Sequence, residues 1–577
     1  MSTMTTRRAV PWAALALTAA TAVYATIIAH YSIGLDNLLT EEGVMLRGFE
    51  EYSRGRVLYR DFLSTYGPYL FLLHHPVLSW WGMEIYPVRL VAGLCHALSV
   101  GLTVLLAMRF RVGRAGAMAA GGLQFLLGPW AVANVPYGDY HVYPLVLGWI
   151  LILHRDGARA TFWQGFLAGV AGLLKPPFGI AMVAMSLARI AAPLPAWVSV
   201  AALIPFYAIL VSGHKEPFVV ALSLVTTTLV LGQGRPEAPP FQPRRLAELL
   251  EGIVVAGLLL AVLQLAAPMD VLAYPNSLMA YRNALFACPS VPPGILALGA
   301  GLLGLAVMPL HQARPILGAF GLLLTLGSLV PESNRAPLGL AWPCIAVLSV
   351  PLWLPWFVPD RLRESRVQSA YLLSTVMLLA SYMLSWGALR NLVPALLFAW
   401  VCLRGRYRWT VTGAGIFLSV AFIFYGILPY HLAARDSLRS GTLQRRHYVL
   451  LDPVRGRVWG PESEVREINE LVRMIQQEVR KDGVLVAFNL PGLNYLADRP
   501  DGMKMPGYYL GVIPSPMAKQ TEAFCLDLRK APEDLVVDLH RSGRPVLYQS
   551  TRFCLFGRLP EPPLAPAESD EKGTSDL

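Results

Sequence analysis

The sequence predicts a mostly α-helical fold, a polytopic transmembrane helix bundle with a C-terminal extracytoplasmic α/β domain. Hydrophobic residues make up 55% of the 577-residue chain and charged residues only 15%, which is too little charge for the surface of a soluble protein. Long apolar runs recur along the chain with arginine-rich clusters at every second gap, and the chain becomes polar near residue 429. At roughly 20 residues per span, the apolar runs amount to about 15 helices.

The predicted boundaries follow these changes in composition. The helix bundle covers residues 1–428 with a first outer loop at 32–67, the α/β domain covers 429–559, and a disordered tail covers 560–577. The net charge of +11 does not indicate nucleic-acid binding, because the arginines lie in short clusters between apolar segments and no nucleic-acid module is present.

The first predicted helix runs from Ala9 to His30. Its apolar run is long enough to cross a bilayer, and no convincing cleavage site precedes Asp36, so we expect the helix to be retained and not removed as a signal peptide. Arginine clusters such as Arg109–Arg114 and Arg361–Arg366 are expected to face the cytoplasm by the positive-inside rule. An odd number of spans then places the N-terminus in the cytoplasm and the C-terminal domain outside.

The C-terminal domain is predicted from its periodicity. An amphipathic helix is expected over Glu462–Lys481 and a strand over Gly483–Phe488, with further strands at Leu535–Leu539 and Pro545–Tyr548. Helices that alternate with short apolar strands are typical of an α/β domain.

The first outer loop contains a predicted helix that starts at Glu41, with Thr40 as a candidate N-cap. Met45, Phe49 and Tyr52 share one face of this helix. An apolar face of this kind predicts a helix that lies flat on the membrane interface.

Several charged residues on the outer side are candidates for chemistry. Carboxylates at a helix start, such as Glu41 and Glu42, either complement the helix dipole or stay ionised as a general base or metal ligand. Lys175 lies between apolar segments and either snorkels to the interface or serves the reaction. Arg335 and Arg390, each near a proline at a helix mouth, are interfacial anchors or phosphate ligands. The residues alone leave these alternatives open.

The order of motifs around the first outer loop resembles the N-terminal module of GT-C membrane glycosyltransferases, over residues 10 to about 190. Relatives of this kind include protein O-mannosyltransferases, lipid A aminoarabinose transferases and lipopolysaccharide-core glycosyltransferases. The motifs are Glu41-Glu42-Gly43, Gly55, Leu58-Tyr59-Arg60-Asp61-Phe62, Tyr66-Gly67-Pro68, Trp81-Gly82 and Arg89.

This resemblance implies an inverting transferase of the bacterial cytoplasmic membrane. Its donor would be a sugar linked to a polyprenyl phosphate, and its acceptor a lipid, a glycan or a protein at the outer face. A carboxylate would act as general base. Membrane lipids are the remaining expected partners, no cofactor is certain, and the divalent cation of some members stays an open alternative.

The resemblance also implies roles for individual acidic residues. It places the catalytic carboxylate at Glu41, where this chain has glutamate in place of the usual aspartate. Asp36 is the second candidate for the base and Glu42 the third. Asp139 matches the second acidic position, which helps to bind the acceptor, although it could also be a turn residue. Asp61 is expected to shape the turn from Tyr59 to Pro68, with acceptor binding as its alternative.

The donor phosphate is expected to meet basic residues. The segment around Lys175 resembles the family's Gly-Leu-x-x-Lys pattern, which implies contact with that phosphate, and Arg335 and Arg390 are candidates for the same pocket. No metal site is assigned, but Glu41 and Asp139 would be the ligands of a cation.

Other side chains have simpler interpretations. Most of the aromatic residues Tyr59, Tyr66, Trp80, Trp81 and Trp130 are expected to form an interfacial belt, with stacking on sugar or isoprenoid as the alternative.

The histidines and cysteines give weaker signals. His74-His75 and His141 are expected to be polar residues at interfaces or helix ends and not ligands. Cys525 and Cys554 both lie in the outer domain, and a disulfide between them is left open.

Two alternatives to a transferase stay open. The first is a transporter or flippase of a lipid-linked saccharide, which would place ionisable residues inside its helices and often shows repeated halves. The second is a non-catalytic glycolipid-binding relative, which the glutamate at position 41 would fit.

Overall fold

The computed structural model describes most of the N-terminal third and most of the C-terminal domain. The described ranges are 2–30, 35–64, 66–134, 138–153, 159–191, 241–264, 269–276, 365–381, 448–451, 455–456, 458–488, 490–500, 521–529 and 533–558, with isolated residues between them. The backbone alone is described at 2–11, 36–37, 41, 126–134, 138–139, 365–366, 377–381 and 448–450. The predicted tail lies outside these ranges.

Helices dominate the described residues, as the sequence predicts. In chain order they are α1 (Ser2–Ile28), α2 (Asp36–Leu39), α3 (Glu41–Ser53), α4 (Pro68–Trp81), α5 (Ile85–Arg109), α6 (Arg114–Asn134), α7 (Gly138–Leu153), α8 (Ala160–Leu174), α9 (Pro176–Ala191), α10 (Pro243–Gln264), α11 (Ser365–Ser381), α12 (Glu462–Glu478), α13 (Pro491–Ala497) and α14 (Glu533–Arg541). The total of about 15 transmembrane spans stays a prediction.

Among the described helices, α5 with 25 residues and α10 with 22 residues are long and apolar enough to cross a membrane. The helix α10 exposes one continuous apolar stripe, formed by Leu250, Val254, Leu258 and Val262. Its opposite face, which includes Leu249 and Ala256, is buried. An exposed apolar stripe opposite a packed face is what a lipid-facing helix requires, because lipid tails solvate apolar side chains.

The helices α8 and α10 approach each other at small residues. A Cβ atom added to Gly165 would lie 2.0 Å from the carbonyl oxygen of Leu249, and one added to Gly252 would lie 2.1 Å from the carbonyl oxygen of Phe162. Glycines that allow two backbones to meet so closely are typical of helix packing in membranes.

The helix α3 begins at Glu41 as predicted, after Thr40, whose side chain makes no capping hydrogen bond. The prediction that α3 lies on the membrane interface is wrong. Met45, Phe49 and Tyr52 are each 2% exposed, because α3 is enclosed between α4 on one side and the C-terminal helix α13 on another. The ring of Phe49 packs 5.3 Å from that of Phe71 in α4, measured between centroids.

The C-terminal part contains two small sheets. Its strands are β1 (Tyr448–Leu450), β2 (Trp459–Pro461), β3 (Val484–Phe488), β4 (Thr521–Asp527), β5 (Val546–Gln549) and β6 (Phe553–Phe556). The strands β1 and β2 form an antiparallel pair, and the second sheet has the order β3-β4-β6-β5. Only β3 and β4 are parallel in that sheet, so it is a mixed sheet with helices beside it.

The predictions for single elements of this domain have different outcomes. The helix predicted from Glu462 is confirmed as α12, the strand ending at Phe488 as β3, and the strand near Pro545 as β5. The predicted strand at Leu535–Leu539 is wrong, because these residues belong to α14, whose first turn carries Glu533 and Asp534. Acidic residues favour a helix start through the helix dipole.

The register of β4 and β6 shows that Cys525 and Cys554 do not form a disulfide. Cys525 lies opposite Leu555, and Cys554 lies opposite Leu526. Residues at adjacent register positions of a sheet point to opposite faces, and the two cysteines accordingly belong to different core clusters. Both are buried and free.

Candidate active site

The first turn of α3 is fixed by an ion pair to α5. Nε and Nη2 of Arg89 each donate a hydrogen bond of 2.7 Å to a different carboxylate oxygen of Glu42. Both side chains are almost fully buried. Burial raises the pKa of the Glu42 carboxyl, and the Arg89 guanidinium opposes that rise. Since Arg89 occupies both oxygens, Glu42 anchors α3 to α5 and is poorly placed to accept a proton from a substrate.

The predicted acidic candidates are located only by their backbones. Glu41 is the first residue of α3, Asp36 the first of α2, and Asp139 the second of α7. Their side chains lie outside the described atoms, as does that of Trp130, and Arg335 and Arg390 lie outside the described residues.

The segment Glu41-Glu42-Gly43, here called the acidic motif, contacts the C-terminal domain through its backbone. A Cβ atom added to Gly43 would lie 2.3 Å from the backbone nitrogen of Gly492, the second residue of α13, and one added to Gly492 would lie 2.3 Å from the carbonyl oxygen of Leu38. Two glycines therefore allow α13 to pack directly on the start of α3.

Beyond the acidic motif, α3 carries a cluster of buried charges. Arg47 is fully buried and pairs with Glu50 and Glu51 on the following turn. Arg54 lies 2.8 Å from Glu50, and Arg56 lies 2.8 Å from Glu51. Buried charges are tolerated only when they are paired in this way.

Two residues of the C-terminal part join this cluster. Arg455 pairs with Glu50 of α3 through Nη1, and its Nη2 lies 2.7 Å from Asp498. Nη2 of Arg54 reaches the same Asp498 oxygen at 2.7 Å. The ion pairs therefore connect α3 to the segment that follows α13.

The turn after α3 is held by Asp61. Its carboxylate accepts a hydrogen bond of 2.8 Å from the backbone nitrogen of Val57 and one of 2.9 Å from Nε of Arg60. The hydrogen bond from Arg60, followed by that from the Val57 backbone, lowers the pKa of the Asp61 carboxyl. These contacts give Asp61 a turn-shaping role between Val57 and Asp61, at the start of the predicted Tyr59–Pro68 turn.

The aromatic residues of this turn are buried. Tyr59 and Tyr66 are 3% and 8% exposed, so the prediction of an interfacial belt is wrong for these two, whereas Trp80 and Trp81 are exposed. The hydroxyl of Tyr59 donates a hydrogen bond of 2.8 Å to the carbonyl oxygen of Tyr66. Burial, and then the neighbouring tyrosines, raise the pKa of Tyr59, so its hydroxyl stays a donor.

The end of the first outer loop lies beside Lys175. The backbone nitrogen of Gly67 donates a hydrogen bond of 2.9 Å to the carbonyl oxygen of Leu174, the last residue of α8. Lys175 follows directly and is only 7% exposed, with its Nζ 5.9 Å from the centre of the Phe178 ring. A buried lysine therefore lies beside the segment that carries the acidic motif.

Two histidines form a pair that the sequence did not suggest. Nε2 of His74 in α4 lies 2.9 Å from Nε2 of His141 in α7, so one nitrogen donates and the other accepts. Both rings are buried, and the ring of Phe49 stacks on His74. The interfacial position predicted for His74 is therefore wrong, whereas His141 lies in the first turn of α7, at a helix end as predicted. Among the described residues, no group of three or more acidic, histidine or cysteine side chains is arranged to hold a metal ion.

Sequence reasoning assigned no role to Arg89 and missed Arg455 and Asp498. For Arg89 a signal existed, because an arginine inside a long apolar helix needs a partner. Nothing local marks Arg455 and Asp498, whose partners lie in a distant part of the chain.

Comparisons with known proteins give a distant likeness. No protein-family model and no curated protein matches the chain. Among solved structures, ArnT from Cupriavidus metallidurans in the apo state is similar at a TM-score of 0.37 and 13% identity, over 94% of this chain and 97% of that chain. The same protein bound to undecaprenyl phosphate gives a TM-score of 0.36 and 15% identity over the same shares. TM-scores this low leave the function of this chain to be inferred from its own residues.

Proposed function

We propose that the chain is an integral membrane glycosyltransferase that moves a sugar from a polyprenyl-phosphate-linked donor to a lipid, glycan or protein acceptor at the outer face of the bacterial cytoplasmic membrane. One observation carries this proposal. The first outer loop carries the acidic motif near its start, and its last residue, Gly67, is hydrogen-bonded to Leu174, next to the buried Lys175. A carboxylate base and a buried cation in one assembly suit the displacement of a lipid phosphate.

The proposed reaction is a single inverting displacement. The Glu41 carboxylate accepts the proton of the acceptor hydroxyl or amine while that oxygen or nitrogen attacks the anomeric carbon. The new bond forms as the bond between the anomeric carbon and the phosphate oxygen breaks, and the lipid phosphate leaves with the electron pair. Asp36 is the alternative base. Glu42, held by Arg89, keeps the start of α3 in place.

The remaining candidates complete this proposal. Lys175 offsets the negative charge that grows on the leaving phosphate, and Arg335 and Arg390 are proposed to bind the same phosphate through their paired donors. Asp139 is proposed to orient the acceptor. If a divalent cation takes part, Glu41 and Asp139 would hold it, since carboxylate oxygens are its preferred ligands.

The base is tested by transfer assays on purified protein in liposomes. The donors are a panel of undecaprenyl-phosphate-linked hexoses and pentoses, and the acceptors are lipid, glycan and protein fractions of bacterial envelopes. Glu41→Gln and Asp139→Asn are expected to abolish transfer while the protein stays in the membrane. Glu462→Gln, which changes an exposed i,i+4 ion pair of α12, is the matched control and should transfer normally.

The same assay separates the competing functions. Full activity in both Glu41→Gln and Asp139→Asn would refute the site assignment. Movement of intact lipid-linked sugar between leaflets without transfer would identify a flippase, and binding without either activity would identify a non-catalytic relative.

Lys175 provides an independent test of the donor site. Replacing it by glutamine removes a charge-assisted contact worth roughly 1.5–3 kcal/mol. We therefore expect Lys175→Gln to lower kcat/KM for the donor by about 10- to 100-fold, with a smaller loss in Lys175→Arg. An unchanged kcat/KM in Lys175→Gln would exclude contact between Lys175 and the phosphate.

A further inference from the structure

The C-terminal domain contacts α3 and the segments on either side of it. Besides the contact between Gly43 and Gly492, the hydroxyl of Tyr495 in α13 donates a hydrogen bond of 2.8 Å to the carbonyl oxygen of Met83, just before α5. On the other side of the motif, the backbone nitrogen of Leu35 donates to the Glu464 carboxylate at 2.8 Å. These contacts bracket the acidic motif from both ends.

Arg455 is the central element of this support. Its guanidinium joins three groups at once, namely the Glu50 carboxylate of α3, the Asp498 carboxylate at 2.7 Å and the carbonyl oxygen of Tyr495 at 3.1 Å. Its own carbonyl oxygen accepts a hydrogen bond of 3.2 Å from the backbone nitrogen of Ile85, the first residue of α5. A planar guanidinium with several donors suits such a junction better than an ammonium group does.

The ion pairs divide into two kinds. Glu50 also pairs with Arg47 and Arg54, but both of these arginines belong to α3 or its end and move together with it. Arg455 pairs with Glu50 from the C-terminal part of the chain. Asp498 in turn pairs with Arg54 at the end of α3 at 2.7 Å. Among the described residues, the pairs Arg455–Glu50 and Asp498–Arg54 are therefore the charged contacts that can hold α3 from the C-terminal part of the chain.

We propose that Arg455 and Asp498 are positioning residues for sugar transfer, which hold α3 and hence the Glu41-Glu42 turn in its working position. The C-terminal domain thereby takes part in the reaction centre through α3, without touching the substrates through these two residues. This inference rests on the proposed function for its activity measurement, but its structural half does not depend on it.

The test compares Arg455→Gln, Arg455→Lys, Asp498→Asn and Glu50→Gln with the full-length wild type in liposomes. A small displacement of a reacting group costs up to about 100-fold in rate. We therefore expect Arg455→Gln to lower kcat by about 10- to 100-fold with an unchanged donor KM, and Arg455→Lys to retain more activity. Arg466→Gln, which removes an exposed arginine of α12, is the matched control.

Hydrogen–deuterium exchange gives the second measurement. In Arg455→Gln and Asp498→Asn, backbone amides of α3 should exchange faster than in the wild type, whereas those of α10 should not change. Because Arg455 and Glu50 are partners, Arg455→Gln combined with Glu50→Gln should lower kcat by less than the product of the single effects.

Each outcome decides one part of the inference. Faster exchange in α3 with wild-type kcat would show that the contact is structural only and would overturn the positioning role. Multiplicative losses in the double variant, or a loss confined to donor KM, would do the same. If the wild type transfers no sugar with any donor, the proposed function fails, and the exchange comparison still decides whether Arg455 holds α3.

Discussion

Two adjacent glutamates at the start of α3 are proposed to have different roles. The Glu42 carboxylate is enclosed and takes both of its hydrogen bonds from Arg89, whereas Glu41 precedes it at the first position of the helix. A residue that holds a buried guanidinium contributes mainly to stability, while a base has to reach its substrate. Stability and transfer should therefore respond differently to changes at these two positions.

The prediction at residue scale concerns Glu42. Glu42→Gln removes the carboxylate that accepts from Nε and Nη2 of Arg89, and breaking a buried pair from one side costs roughly 3–5 kcal/mol. We expect a clear fall in the Tm of the detergent-solubilised protein, followed by intrinsic fluorescence. Arg466→Gln in an exposed pair should leave Tm nearly unchanged. If Glu42→Gln keeps its Tm but transfers no sugar, Glu42 and not Glu41 is the base.

At the scale of elements, the contact between α2, α3 and α13 depends on the absence of a side chain. A Cβ atom at Gly492 would lie 2.3 Å from the carbonyl oxygen of Leu38 and 2.7 Å from the Cα of Leu39. Backbone atoms cannot yield as a flexible side chain does, so a methyl group there must separate the helices.

Gly492→Ala is therefore expected to destabilise the protein by about 1–3 kcal/mol and to speed exchange in α3. The measurement is thermal unfolding together with exchange mass spectrometry. Gly257→Ala is the control, because a Cβ atom there meets no atom within 4 Å and alanine favours the helix. Equal behaviour of the two variants would contradict the packing of α13 on α2 and α3.

Asp527, the last residue of β4, is expected to make the stability of the C-terminal sheet depend on pH. Burial raises the pKa of the Asp527 carboxyl, but hydrogen bonds from Arg529 and the charge of Arg552 outweigh that rise and hold this pKa below its usual value. A depressed pKa in the folded state means that the stabilising contribution is present above the unfolded-state pKa of about 3.9 and is lost as the pH falls through the folded-state value.

We accordingly expect Tm to fall on acidification below about pH 4, and Asp527→Asn to weaken that dependence while lowering Tm at neutral pH. Asp534→Asn, at the exposed start of α14, should retain the wild-type profile. An Asp527→Asn profile that follows the wild type in the acid range would assign the dependence to other groups.

An element could be predicted from the sequence when it is long enough to show a clear hydrophobic periodicity. Over α12, Val465, Ile468, Leu471 and Ile475 recur at helical spacing, and all of them are buried, so the periodicity identified the helix. The segment Leu535–Leu539 is short and rich in branched apolar residues, which suits a strand. The preceding Glu533 and Asp534 start a helix there, and five residues contain too little periodicity to show it.

At the scale of the molecule, the sequence allowed site residues to be proposed only where the pattern is local. The acidic motif, the turn at Asp61 and Lys175 each carry a short pattern in the sequence. The partners that hold them do not, since Glu42 and Arg89 are 47 residues apart and Glu50 and Arg455 are 405 apart. A single sequence records residue types and spacing, and it holds no information on which distant charges meet.

The orientation of the whole chain is the last prediction. A cysteine introduced at Asp538, an exposed position of α14, should react with a membrane-impermeant maleimide added outside intact spheroplasts. A cysteine at Arg111, an exposed residue just after α5, should react only after lysis. Wild-type protein provides the background of its native cysteines. Labelling of the Asp538 position only after lysis would refute an extracytoplasmic C-terminal domain.

The ion pair between Glu50 and Arg455 also sets the order of events during biosynthesis. Its two partners are separated by 405 residues, so at about 5–20 residues per second the ribosome needs roughly 20–80 s to make the second after the first. If the topology is as proposed, α3 would reach the outer face during that interval without the support of Arg455. With this topology, a chain interrupted before Arg455 would present α3 to periplasmic proteases, and the proposed reaction centre would be completed only after translocation of the C-terminal domain.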